Sequence, residues 1–149
     1  MAELKQRIND EVKNAMRSHD KPRVGVLRMI LAALKQKEVD ERIELDDNHI
    51  ITILDKMVKQ LKDSIEQFKA AGREDLVAKE TYELEIVQSF LPNQLSEDEI
   101  MQVINEAIQG TGATSMKEMG QVMGIVKPRV QGRADMGKIS SLVKEKLGQ

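Results

Sequence analysis

Between Met116 and Lys138 the chain reads MKEMGQVMGIVKPRVQGRADMGK, where Lys117, Lys127, Arg129, Arg133 and Lys138 stand among four glycines, four methionines and two acids. Cations at this density can neutralise phosphates, and glycines leave main-chain N–H groups open to an approaching polyanion. A helix that needed only stability would carry Ala at Gly120, Gly124 and Gly137, because each helical glycine costs roughly 0.5–1 kcal/mol. The glycines therefore point either to a neighbouring helix packed very close or to a polyanion beside the five cations. The aromatic residues are Phe68, Tyr82 and Phe90, all upstream of this stretch. RNA contact by residues 93–149 would then use phosphates, riboses and shape rather than base stacking.

A second basic cluster, Lys13, Arg17, Lys21, Arg23 and Arg28 with Asp20 among them, carries a local charge of +4, against +3 for residues 117–138. Either cluster also reads as a solvated helix face. Residues suited to reaction chemistry are few. His19 falls in a turn and His49 at the start of a long helix, and neither has a carboxylate or second His at ligand spacing. Asp46-Asp47 reads as a helix cap, and Glu83 and Glu85 fall on different faces of one helix. Gly110-Thr111-Gly112 lacks the third glycine of a dinucleotide fingerprint and follows a helix rather than a strand. No nucleophile elbow or Walker-type loop occurs. The residues show no catalytic apparatus and call for no metal and no cofactor.

The elements that position these residues follow from apolar spacing, which recurs at three and four almost everywhere and predicts an all-α chain. Leu4, Ile8, Val12 and Ala15 form a first stripe ending near Ser18-His19-Asp20. Pro22 suits the first helical position of a second helix that runs to about Arg42. Asp46 or Asp47 caps a long helix through Ile50, Leu54, Leu61 and Phe68, stopped by Gly72 and forming the spine of the domain. A fourth helix closes at Leu91-Pro92. Pro92 marks the boundary between an N-terminal four-helix domain, residues 1–92, and a small three-helix tail domain, residues 93–149. In the tail, Ser96 with Glu99 and Ser115 with Glu118 form capping boxes, and Gly110-Thr111-Gly112 ends the first helix. Pro128 ends or kinks the second about one turn before Gly132, and Asp135 caps the third. The methionines read as core filler at helical spacing.

The chain has 149 residues, 40% hydrophobic and 32% charged, enough for one sizeable core or two small ones. No apolar run approaches the roughly 18 residues of a membrane span. The first 20 residues alternate in charge without an apolar core, so no secretory signal is visible. The absence of cysteine excludes disulfides and thiolate metal sites. These features predict a cytosolic protein.

Three segments, RSHDKPRVGVLRMILAALKQKEVDER, FLPNQLSEDEI and KEMGQVMGIVKPRVQGRADMGKISSLVKEKL, in that order and spacing, resemble the YqeY family of small bacterial proteins over essentially the whole chain. In that family the C-terminal part is similar to the tail domain of the B subunit of the glutamine-dependent aspartyl/glutamyl-tRNA amidotransferase, where a helical tail helps hold the tRNA. The resemblance implies an all-helical domain followed by a helical tail, and a carbon–nitrogen ligase role with glutamine as amido donor. In the amidotransferase, glutamine hydrolysis belongs to a separate subunit and tRNA phosphorylation to the larger part of the B subunit. What carries over is therefore the tail, through Gly120-Gln121-Val122-Met123, Gly132-Arg133-Ala134-Asp135 and the helix that follows. The leading expectation is a non-catalytic helical protein that binds tRNA, or a tRNA-handling complex, through Lys117, Lys127, Arg129, Arg133 and Lys138. The alternatives are a protein interaction module, using the N-terminal bundle and the methionine helix, and an accessory to glutamine-dependent amide transfer on tRNA.

Overall fold

A computed structural model describes residues 3–148, and every regular element among them is a helix. The order is α1 (Glu3–Arg17), α2 (Lys21–Glu41), α3 (Asp47–Ala70), α4 (Glu74–Gln88), α5 (Glu97–Thr111), a 3-10 turn (Met116–Glu118), α6 (Met119–Val130) and α7 (Met136–Leu147). They pack as two compact units that part between Leu91 and Pro92.

In the first unit α1 lies along α2 and α3 lies along α4, and α2 and α3 each touch all three of the other helices, so the two longest helices share the spine role expected of α3 alone. The core gathers Ile8, Leu27, Ile30, Leu34, Ile50, Leu54 and Val87, all sealed from water. Helix ends follow local chemistry. Asp20 accepts from the Arg23 N–H, Pro22 sits in the first turn of α2 where no N–H is needed, and Arg42 closes that helix in the left-handed region at φ 54°. At α3 it is Asp46 that caps. Its Oδ1 accepts the His49 N–H at 2.8 Å, and its own N–H donates to His49 Nδ1 at 3.1 Å. His49 is thus half of a capping box, a use of the imidazole that the Glu or Gln of the usual pattern conceals. Arg7 ties α1 to the end of α4: its Nη2 donates to the Ser89 carbonyl at 2.9 Å, and its guanidinium lies 5.1 Å from the Phe90 ring centroid.

The second unit packs α6 against both α5 and α7 around Ile104, Val122, Val126, Val130, Ile139 and Val143. Ser96 and Glu99 make the expected capping box, and Gly112 ends α5 at φ +68°. The second expected box does not form. Ser115 makes no side-chain cap bond, the chain tightens into the 3-10 turn, and Glu118 Oε1 instead accepts the Thr114 N–H at 3.3 Å. Helix α6 runs through Pro128 to Val130, and the turn after it is made by Gly132 at φ +74°.

Candidate functional site

Helix α6 is two-faced at a period of four. Val122, Val126 and Val130 are buried, whereas Gly120, Gly124 and Pro128, on the opposite side, are exposed. A Cβ built on Gly120 or Gly124 would meet nothing within 4 Å. Close helix packing is therefore not what these glycines serve, and of the two reasons read from the sequence that one is excluded at both positions. Gly137 is different, since its Cβ would lie 3.3 Å from Asp135 Oδ1, the atom that accepts the Gly137 N–H and caps α7. Pro128 has no N–H to give the carbonyl of Gly124, four residues back, so the solvent side of α6 carries two bare glycines and a carbonyl without its helical donor, with the Pro128 ring and the exposed Ile125 beside them. The methionines divide as core filler and surface: Met119, Met123 and Met136 pack partly buried on the core, and Met116 stays exposed.

The five sequence-predicted cations have three different fates. Arg129 Nη1 is 2.8 Å from Glu106 Oε2, and Lys138 Nζ is 2.8 Å from Glu97 Oε1. Both acids belong to α5. The cation held against each keeps the carboxyls of Glu106 and Glu97 below the usual carboxylate range. Nine residues separate the two acids, which places the pairs about 13 Å apart along α5. Arg133 builds the turn after α6. Its Nε donates to the Asn93 carbonyl at 3.1 Å, its own carbonyl accepts the Leu95 N–H at 2.8 Å, and Gln94 Nε2 donates to the Gly132 carbonyl at 3.0 Å. Lys117 and Lys127 remain exposed, with no carboxylate at ion-pair distance among the described residues. A charge count confined to residues 117–138 misses the acids of α5, whereas residues 93–149 as a whole carry as many acids as bases.

His19 lies exposed in the turn before α2, at φ 58°. Among the described residues no group of three or more His, Asp and Glu could hold a metal ion. No helix among the described residues is long and apolar enough to cross a membrane.

Comparison with known proteins widens the setting. A protein of Pyrenophora tritici-repentis named altered inheritance of mitochondria protein 41, mitochondrial, is 32% identical over 95% of this chain and 80% of its own length. Proteins of the same name from Eremothecium gossypii, 37% identical over 61% of this chain and 48% of theirs, and Saccharomyces cerevisiae, 27% identical over 78% and 66%, are also similar. The chain thus spans between about half and four-fifths of these relatives. They are fungal, so the likeness is not confined to bacteria, and their names state no reaction. Those names also overturn the expectation of a cytosolic protein, because each places its protein in mitochondria. Composition misled there for a physical reason: an acidic, cysteine-free helical chain suits more than one compartment, and the address is read from a targeting segment rather than from the fold. The family profile described as Yqey-like protein matches residues 5–147, which takes in all seven helices except Glu3 and Leu4 of α1, and the chain belongs to that family.

Proposed function

We propose that the C-terminal unit holds the sugar–phosphate backbone of a tRNA, or of a complex that handles tRNA, along the solvent face of α6. The observation that carries this reading is the open ridge of Gly120, Gly124 and Pro128 with Lys127 beside it on α6 and Lys117 in the turn before. The two lysines stand roughly 15 Å apart along the helix axis, so they would meet different phosphates. The Gly124 carbonyl, which cannot receive a helical bond from Pro128, is an acceptor suited to a ribose 2′-hydroxyl, the group by which RNA is told from DNA. Arg129 and Lys138 join by exchange. Their pairs are exposed, with 47% and 48% of the cation side chains open to solvent, and pairs of that kind are worth only about 0–1 kcal/mol, so a phosphate can take the place of the carboxylate. Arg133 contributes to the frame rather than to the contact.

The test is tRNA affinity measured against salt. Lys117→Ala with Lys127→Ala is expected to flatten the slope of log K against log salt by about 1.5, at roughly 0.7–0.9 for each phosphate no longer neutralised. A wild-type affinity that ignores salt, or one that is equal for a DNA copy of the same sequence, would falsify the reading. An accessory role in amide transfer carries a separate expectation: the chain, given glutamine and mischarged tRNA, releases glutamate, and silence in that assay disposes of an autonomous activity.

A further inference from the structure

The exposed side of α2 repeats at the spacing of a helix-pairing seam. Gly25, Met29, Ala32, Gln36 and Val39 follow one another at intervals of four and three, and all are open to solvent. Val39 is 59% exposed and Met29 38%, which is unfavourable for apolar side chains on a helix whose other face is well buried. Along one flank run Lys21, Arg28 and Lys35, seven residues apart. None of the three has a carboxylate at ion-pair distance among the described residues, although Arg23, Lys37 and Lys5 nearby are matched by Glu11, Glu41 and Glu38. Arg28 makes only a long contact, 4.0 Å, to Met16 Sδ.

At the N-terminal end of the seam two clefts open on either side of Gly25, both bordered by Lys21. One, of about 370 Å³, lies against Met16, His19, Val24 and Arg28. The other, of about 240 Å³, lies against Pro22, Met29, Lys79, Tyr82 and Glu83. A Cβ at Gly25 would touch nothing within 4 Å. The glycine is thus a notch between two apolar-floored pockets, the shape that lets another backbone come close while its side chains enter on both sides. Met16, half exposed at the rim, adds a soft and adaptable surface.

We propose that this face of α2 docks an acidic amphipathic helix of a partner protein, whose apolar residues at 3-4 spacing lie on Gly25, Met29, Ala32 and Val39 and whose Glu or Asp flank meets Lys21, Arg28 and Lys35. Charge decides between occupants. A second copy paired antiparallel would set this cation row against itself. Paired parallel, it would offer a flank whose carboxylate, Asp40, is already engaged by Gln36 Nε2 at 2.8 Å. A polynucleotide would satisfy the cations but leave Met29, Ala32 and Val39 against a polar backbone. The inference is independent of the reading of α6.

The probe is a fluorescein-labelled synthetic helix of about 20 residues with Leu at 3-4 spacing and Glu on one flank, and a twin with Lys in place of Glu, each titrated into the full chain by anisotropy. The acidic peptide is expected to bind about tenfold or more tighter than its twin, and Arg28→Glu with Lys35→Glu to reverse that order. Gly25→Leu, at a helical position with open space, is expected to leave the melting temperature at or above that of the wild type and to weaken the acidic peptide about tenfold. Equal affinity for the two peptides, no saturable binding, or indifference to Gly25→Leu overturns the proposal. So does a dimer in sedimentation that Arg28→Glu with Lys35→Glu disperses, or tRNA binding abolished by that same pair.

Discussion

Helices α2 and α6 make an instructive pair. Each carries open glycines on a solvent face, Gly25 on one and Gly120 with Gly124 on the other, and each lies in one of the two basic stretches of the chain. What differs is the chemistry folded across from them. Helix α5 brings Glu106 and Glu97 onto Arg129 and Lys138, so the more C-terminal cluster is partly neutralised from outside its own sequence. Glu11 of α1 takes Arg23 of the other cluster in the same way, but the row Lys21, Arg28 and Lys35 on α2 is left to solvent with no carboxylate at ion-pair distance among the described residues. A window count of charge therefore ranks the two faces less well than knowledge of the facing helix. Coulomb attraction at a few ångströms dominates over like charges a helical turn or more away, which water and salt screen.

The largest test of this contrast is to remove the facing acids. Glu97→Gln with Glu106→Gln frees Lys138 and Arg129, and tRNA affinity at low salt is expected to rise by up to about tenfold, with a slope steeper by about one to two. Unchanged affinity would mean those cations never reach the ligand. The same acids bear on pH. Because their carboxyls sit below the usual range, the pairs are intact wherever the unfolded chain has ionised its carboxylates and are lost only as pH falls through the lowered values. The contrast with the double variant should accordingly be constant from about pH 6 to 8 and vanish in strong acid.

Glycine substitutions come next in size. Gly132→Ala places a Cβ at φ +74° and is expected to destabilise the C-terminal unit by about 1–2 kcal/mol in denaturant melts. Gly124→Ala, with open space and helical backbone, is expected to do the opposite, stabilising by roughly 0.5–1 kcal/mol while weakening tRNA binding if the bare ridge meets the ligand. Stability gained with binding unchanged would remove the ridge from the site. Arg133→Ala separates frame from contact: without the bond to the Asn93 carbonyl the unit is less stable by about 1 kcal/mol, and the salt slope stays as it was. The smallest effect lies beside α2. Partial burial, with Glu80 nearby, raises the carboxyl of Glu83 above its ordinary value, so its charge opposes folding at neutral pH and ceases to as pH falls below the unfolded value. Glu83→Gln should raise the melting temperature slightly at about pH 7 and not at about pH 4.

Much of the helical framework is legible in the chain itself. Apolar residues at three and four spacing place all seven helices, and Asp46, Ser96 and Asp135 begin three of them for a reason visible in the sequence, a short side-chain oxygen that accepts an orphan N–H. Where a signal could be met in two ways, the nearest neighbours decided. Ser115 and Glu118 have the spacing of a capping box, yet the 3-10 turn takes Glu118 to the Thr114 N–H instead. The row Lys21, Arg28, Lys35 is also present in the sequence as a seven-residue repeat. It carries no signal there, because repeated cations look the same on any solvated helix until exposure shows that Met29, Ala32 and Val39 beside them are uncovered too.

Composition, periodicity and caps are local quantities, carried by residues within a turn or two of each other, and for that reason the order of the amino acids was enough to specify the helices and most of their ends, the start of α6 excepted. Which cations keep a free charge and which glycines face open water are properties of pairs distant in the chain. Glu97 and Lys138 are 41 positions apart and meet at 2.8 Å. Only packing, which burial of Val122, Val126 and Ile104 drives without regard to charge, brings such residues together.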